Sequence, residues 1–272
     1  MTPQSHYDLY MTLEDRVLVD LHRAASFAGR PGIAVPSADL EVANERIGNQ
    51  RARDALKRLV QSDRVRSVRK DLAVLPDSLG RVTVELPELI EVVAPSRHLI
   101  TGGSALEHHG LTNQHSFSTF VLVPNQISGF SFRGDKASFV TTRPERIWGW
   151  EKQSPHFATP ERAILDAVSS SRYGVPLSMA IDALHKAVEA DPKFLSRLVE
   201  VARRYNSPIV ARRLGLLVDR LFGGDAASPF RELMGKSRTP VRLRSSGMDD
   251  GVVDSTWNVL VNASTELQGV NG

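Results

Sequence analysis

Apolar positions in the first quarter of the chain recur at helical spacing. Leu13, Val17, Leu21, Ala24 and Ala28 fall on one face at i, i+4, i+8 intervals, which predicts an amphipathic helix over 13–28, and Gly29, Pro31 and Gly32 end it. A second helix is expected after Ser37 as N-cap, with Asp39 and Glu41 in its first turn and Leu40, Ala43 and Ile47 turned inward. Gly48-Asn49 reads as a tight turn, with Asn49 capping a third helix over about 50–62 whose apolar stripe is Ala52, Ala55, Leu56, Leu59 and Val60. The pattern then shortens to strand-like runs. Val65–Val68 and Leu72–Leu75 flank a short basic turn, and Pro76 closes the pair, as in a β-hairpin. Three short helices followed by a hairpin is the element order of a winged helix-turn-helix, so residues 1–80 are expected to form one.

From Pro87 the pattern changes, and 87–272 is expected to be a second, mixed α+β and helical domain, making the chain α+β overall. Leu89–Val93 is an apolar run. Gly102-Gly103-Ser104 opens a short helix ending near Gly110, and Phe117–Val123 is a strand stopped by Pro124. Phe130–Phe132 and Ser138–Thr142 read as a strand pair around the turn Gly134-Asp135. Thr159-Pro160-Glu161 starts a helix with Pro at its first position. Three helical segments are expected between Leu177 and Phe222, broken at Asp191-Pro192 and Ser207-Pro208. A Gly/Ala/Ser-rich break at 223–228 and a strand over Trp257–Val261 follow.

Composition narrows the function classes. A 41% hydrophobic and 24% charged chain is ordinary for a globular protein. It has no run near the ~18 apolar residues of a membrane span, and the opening MTPQSHYDLY lacks a leader's apolar core, so a cytoplasmic protein without a membrane partner is expected. The absence of cysteine excludes disulfides, thiolate nucleophiles, zinc ribbons and iron–sulfur clusters.

The net charge of +3 conceals an uneven distribution. Residues 46–70 carry nine basic side chains against Asp54 and Asp63, a surplus of seven, whereas the rest of 1–80 is acidic. The apolar stripe of the third helix leaves Gln50, Arg51, Arg53, Asp54, Lys57 and Arg58 towards solvent. In a helix-turn-helix such a helix presents its N-terminal residues to base edges in the major groove. Asn49, Gln50, Arg51 and Arg53 are therefore expected at the DNA, with Gln50, Arg51 and Arg53 reading bases. Lys57, Arg58, Arg64, Arg66, Arg69 and Lys70 are expected to hold the sugar–phosphate backbone. The plain alternative is a solvated charged face. A second basic region at 193–220, with Arg203-Arg204 and Arg212-Arg213, is expected to be such a face.

Other candidate chemistry is thinner. The glycines of 102–103 could present helix amides to a phosphate, but a short glycine motif is weak and a turn that lets strand and helix pack closely is the better reading. The strand His115–Val123 holds no Asp or Glu, whereas two-metal nucleotide transfer needs carboxylates there. His108 and His109, adjacent on a helix, diverge by about 100° and are not expected to share an ion. Trp148 and Trp150 are expected in the core. No catalytic residue, metal or cofactor is expected, and the chain is read as a non-enzyme.

Several segments together resemble the AbiEi family, the antitoxins and transcriptional regulators of type IV toxin–antitoxin pairs. The resemblance lies in Arg58-Leu59-Val60 through Arg64–Asp71 to Leu75-Pro76, in Ser104–Thr112, in Thr159–Asp166, and faintly in Pro240–Leu243 with Trp257-Asn258-Val259. It implies a repressor of its own operon that binds inverted repeats in double-stranded DNA and neutralises a cognate nucleotidyltransferase toxin. Relatives often have Gly in the wing turn and an aromatic residue two positions on. Here Asp71 and Ala73 stand instead, and Asp tolerates a left-handed turn better than most residues. Two other classes stay open: a divergent nucleotidyltransferase or toxin-modifying enzyme, and a pure interaction protein whose arginine-rich helices dock an acidic partner.

Overall fold

The computed structural model describes residues 11–95, 97–152, 154–246 and 250–262, so the opening decapeptide considered above lies outside the described residues. The chain divides into two units, residues 1–93 with 130–132, and residues 94–129 with 133–272. It is a mixed α+β protein throughout.

In the first unit α1 (Leu13–Phe27) leads to a two-residue strand β1 (Ile33–Ala34), then α2 (Pro36–Asp39), α3 (Glu41–Ile47), α4 (Asn49–Gln61), and the hairpin β2 (Arg66–Arg69) and β3 (Leu72–Val74). The three strands form one sheet in the order β1-β3-β2, with Ile33 opposite Val74 and Ala34 opposite Ala73. One core joins these pieces: Val17, Leu21 and Ala25 of α1, Ala52, Ala55 and Leu59 of α4, and Leu40, Ala43 and Ala73 between them. On α1, Ala25 rather than Ala28 continues the buried stripe. Thr12 starts α1 with a reciprocal capping box: its hydroxyl accepts from the Asp15 amide at 3.1 Å, and its own amide donates to the Asp15 carboxylate at 3.0 Å. A further helix, α5 (Leu86–Val93), closes the unit on the run read above only as apolar.

Two expected caps are displaced. Pro36 takes the first position of α2, so Val35 is its N-cap and Ser37 lies inside the helix. The Ser37 amide is capped from the hairpin instead, donating to Asp71 Oδ1 at 2.6 Å, while its hydroxyl donates to the other carboxylate oxygen. At α4 the N-cap is Gly48 (φ +87°, ψ 145°), and Asn49 is the first helical residue with no side-chain cap bond. A side chain at 48 would be strained in that backbone region, which is why glycine joins α3 to α4.

The second unit opens with β4 (Leu99–Thr101) and α6 (Gly103–His108), followed by β5 (Ser118–Val123) and, after the β6 segment (Phe130–Phe132) that is counted with the first unit, β7 (Asp135–Thr141). Within the unit β5 is the central strand, antiparallel to β4 and parallel to β7. The turn before β7 is Arg133-Gly134, both at positive φ, and Asp135 already belongs to the strand. Helix α7 (Pro160–Ser169) is capped by the Thr159 hydroxyl, and every residue from Glu161 to Val168 is buried. Around it lie α8 (Leu177–Ala190), α9 (Phe194–Tyr205) and α10 (Pro208–Phe222), separated at the two expected prolines. The Gly/Ala stretch after α10 forms one more turn, α11 (Gly224–Ala227). A small sheet β8-β10-β9 (Val241–Arg242, Val259–Val261, Val252–Asp254) ends the described chain. Its hairpin sends Trp257 onto Gly215 of α10, where a Cβ would stand 2.1 Å from the indole ring.

No helix among the described residues is long and apolar enough to cross a membrane.

Candidate nucleic-acid interface

Helix α4 owes its orientation to three small or branched residues. Ala52, Ala55 and Leu59 are buried, which turns Gln50, Arg51, Arg53, Lys57 and Arg58 outward. Gln50, Arg53 and Lys57 follow one another along one stripe at i, i+3, i+7, with Arg51 and Arg58 a heptad apart beside it. Asn49 is exposed in the first turn. Val60, expected in the apolar stripe, is exposed on the outer side.

The hairpin adds a second row. Arg64, Arg66 and Lys70 are exposed, whereas Arg69 is half-buried. Asp71 holds the turn at φ +59°, and its carboxylate is committed to Ser37. A backbone that glycine adopts most readily is thus filled by Asp, which ties the turn to α2.

Electrostatics divide the predicted residues into two groups, a distinction absent from the linear sequence. Arg58 Nε donates to Glu14, Arg64 Nη2 to Asp15 at 2.5 Å, and Arg66 to Asp63 at 3.0–3.2 Å. Arg46 likewise grips the buried Asp20 at 3.1 Å. The α1 carboxylates respond: the Thr12 hydroxyl and the Arg64 guanidinium lower the Asp15 pKa to about 2, and Arg58 holds Glu14 below its ordinary value. Gln50 is also engaged, donating to Asp54 at 3.1 Å. By contrast Arg51, Arg53, Lys57 and Lys70 make no ion pair among the described residues.

The second basic region is a solvated face only in part: Lys193, Arg197, Arg203, Arg204 and Arg220 are exposed, but the Arg212-Arg213 pair is not. Arg212 and Arg213 are buried and donate to carbonyls of Met234, Ser237, Thr239, Arg242, Val168 and Ser169, tying α10 to its neighbours. Arg197 pairs with Glu161 and Asp191, Arg203 with Glu200, and Arg220 with Asp254. Arg204 stacks over Trp148, 4.3 Å from the ring centroid. Spacing gave no sign of this, because an arginine pair on a helix has the same pattern whether it meets water or carbonyls.

The Gly102-Gly103 turn packs tightly. A Cβ on Gly102 would lie 2.8 Å from the Tyr173 carbonyl oxygen, and one on Gly103 2.8 Å from Ser116 Oγ. Trp148 is buried as expected, and Trp150 half-buried. The adjacent His108 and His109 do converge, since His109 sits at the end of α6 (φ −86°, ψ 4°) and both rings reach Glu151.

No protein-family model matches the chain, and no curated protein matches it. Among solved structures it is similar to the RV2827C protein from Mycobacterium tuberculosis, with a TM-score of 0.65 over 96% of this chain and 94% of that one. At 14% identity the likeness is one of fold.

Proposed function

We propose that residues 11–76 are a winged helix-turn-helix whose helix α4 enters the major groove of duplex DNA, with the β2–β3 hairpin as the wing. The observation that carries this is the set of unpaired cations Arg51, Arg53, Lys57 and Lys70 on α4 and at the hairpin tip, outside a core made by α1, α3 and α4. An arginine near the start of such a helix matches guanine bidentately, and the later cations match phosphates. Arg58, Arg64 and Arg66 serve first as internal struts.

On this reading the chain is a sequence-specific repressor of its own operon, two copies meeting an inverted repeat. The antitoxin role against a nucleotidyltransferase toxin rests on the resemblance at Ser104–Thr112 and Thr159–Asp166. A non-enzymatic second unit is supported by the absence of any carboxylate from the 115–123 segment where metal-dependent nucleotide transfer would need one.

The test is binding of the chain to its own operon's promoter, followed by anisotropy across a salt series. Arg51→Ala and Arg53→Ala are expected to cost about 1–3 kcal/mol on the operator and less on unrelated duplex. Lys57→Ala and Lys70→Ala should weaken both equally and reduce the salt slope by about 0.9 each. No binding to that promoter, or a salt slope indifferent to all four substitutions, refutes the assignment.

A further inference from the structure

We propose that His108, His109 and Glu151, in the second unit, form a binding site for a divalent transition ion of the Zn²⁺ type. His108 Nε2 lies 3.3 Å from Glu151 Oε2, and His109 Nδ1 lies 3.8 Å from Glu151 Oε1. The three residues can each offer a donor atom within 4.8 Å of the others. Donors bound at about 2.0–2.1 Å to a tetrahedral ion stand about 3.3–3.4 Å apart, so donors that lie within 4.8 Å of one another close on the ion by side-chain shifts of at most about 1.4 Å. Nitrogen and carboxylate donors without thiolate suit Zn²⁺ and Co²⁺ alike.

Each donor is held in place by the same short segment, Phe157-Ala158. The His108 ring stacks flat on Phe157, with centroids 4.0 Å apart and planes 4° from parallel. His109 Nε2 lies 2.7 Å from the Ala158 carbonyl oxygen. The Glu151 amide donates to the Phe157 carbonyl at 2.9 Å, and Trp150 is bridged to Ala158. The carbonyl matters most. It requires a proton on His109 Nε2 and turns Nδ1 towards a carboxylate, so in the neutral ring two acceptors face each other. At 3.8 Å a proton between them is not a hydrogen bond, whereas an ion bound by both satisfies both. A histidine with one nitrogen on a backbone carbonyl and the other at a metal is the usual outer-shell arrangement. His109 is largely covered, while His108 and Glu151 are partly open, leaving an entry and room for a water as fourth ligand.

The experiment uses the tag-free full chain, stripped with chelator, in equilibrium dialysis against Zn²⁺ and in absorption titrations with Co²⁺. Glu151→Gln keeps shape and removes charge; His108→Phe keeps the stack on Phe157 and removes the donor. Wild type should retain one equivalent of Zn²⁺ and give the spectrum of four-coordinate cobalt. Each variant, with unchanged circular dichroism, should bind at least about tenfold more weakly. No retention by wild type, or retention unchanged in either variant, overturns the proposal.

Discussion

Asp166 offers a test of what holds the second unit together. Its carboxylate is fully buried on α7, and Oδ2 accepts from Thr101 Oγ1 and Arg162 Nε, both at 2.9 Å. Oδ1 has no partner among the described residues. Arg162 is equally enclosed, at 1% exposure, and spends its remaining donors on the carbonyls of Trp148 and Arg146 while lying between the Trp148 and Tyr205 rings. Burial raises the Asp166 pKa, and Arg162 opposes the rise. Removing one partner of such a pair strands the other charge, a loss of about 3–5 kcal/mol, against a total stability of about 5–15 kcal/mol. Asp166→Ala should fall in that range. Asp166→Asn should cost less, about 1–3 kcal/mol, since it keeps an acceptor but places an amide N–H where Oδ1 has no partner. In Arg162→Met with Asp166→Leu no charge is stranded, so the double variant should be more stable than the sum of its singles predicts. The assay is urea unfolding followed by tryptophan fluorescence. All three tryptophans, Trp148, Trp150 and Trp257, belong to the second unit, so the signal reports that unit alone. An Asp166→Ala cost under about 1 kcal/mol, with additive singles, would refute the argument.

Further outcomes follow from individual contacts. Asp15 should titrate at about 2 in the folded chain, as read by carboxyl chemical shifts, and Thr12→Ala should move that midpoint up. Because this pKa is depressed, its stabilising contribution is present above the ordinary value of 3.8 and disappears as pH falls through about 2. Gly215→Ala should destabilise the second unit by about 3 kcal/mol, since the buried Trp257, fixed by a 2.7 Å bond from its indole N–H to Asp219, cannot yield without shifting its hairpin. Its fluorescence transition would show this, and a wild-type midpoint would contradict it. Asp71→Ala should cost about 1–2 kcal/mol through loss of the long-range cap and of the turn's left-handed tolerance. Faster hydrogen exchange at the Ser37 amide is the specific sign, and unchanged exchange would count against the cap.

Features encoded locally were legible in the sequence. Helices α1 and α4 announce themselves by apolar spacing, the hairpin by alternation around Lys70-Asp71, and α8 to α10 by the prolines that must interrupt them. Features that depend on distant partners were not. Strand β1 is two residues long and exists because β3 pairs with it, so no periodicity marks Ile33-Ala34. Ser37 looks like an N-cap, yet its cap comes from Asp71, 34 residues away. Arg212-Arg213 looks like a solvated pair because carbonyl acceptors leave no trace in a side-chain pattern.

A surplus of seven charges over 46–70 suggests an evenly basic surface, but the fold redistributes it. Arg46, Arg58 and Arg64 face carboxylates of α1, and Arg66 faces Asp63, so at least four of the nine cations carry a counter-charge before any ligand arrives. Recruiting Arg58 or Arg64 to a phosphate would expose Glu14 or Asp15 to that phosphate, and the repulsion offsets the new contact. Arg51, Arg53, Lys57 and Lys70 carry no such penalty. Three of them occupy the first nine residues of α4, the part a groove-bound helix brings nearest to base edges, and the fourth marks the tip of the hairpin. Charge that is already neutralised orients the fold; charge that is not is what a duplex would meet.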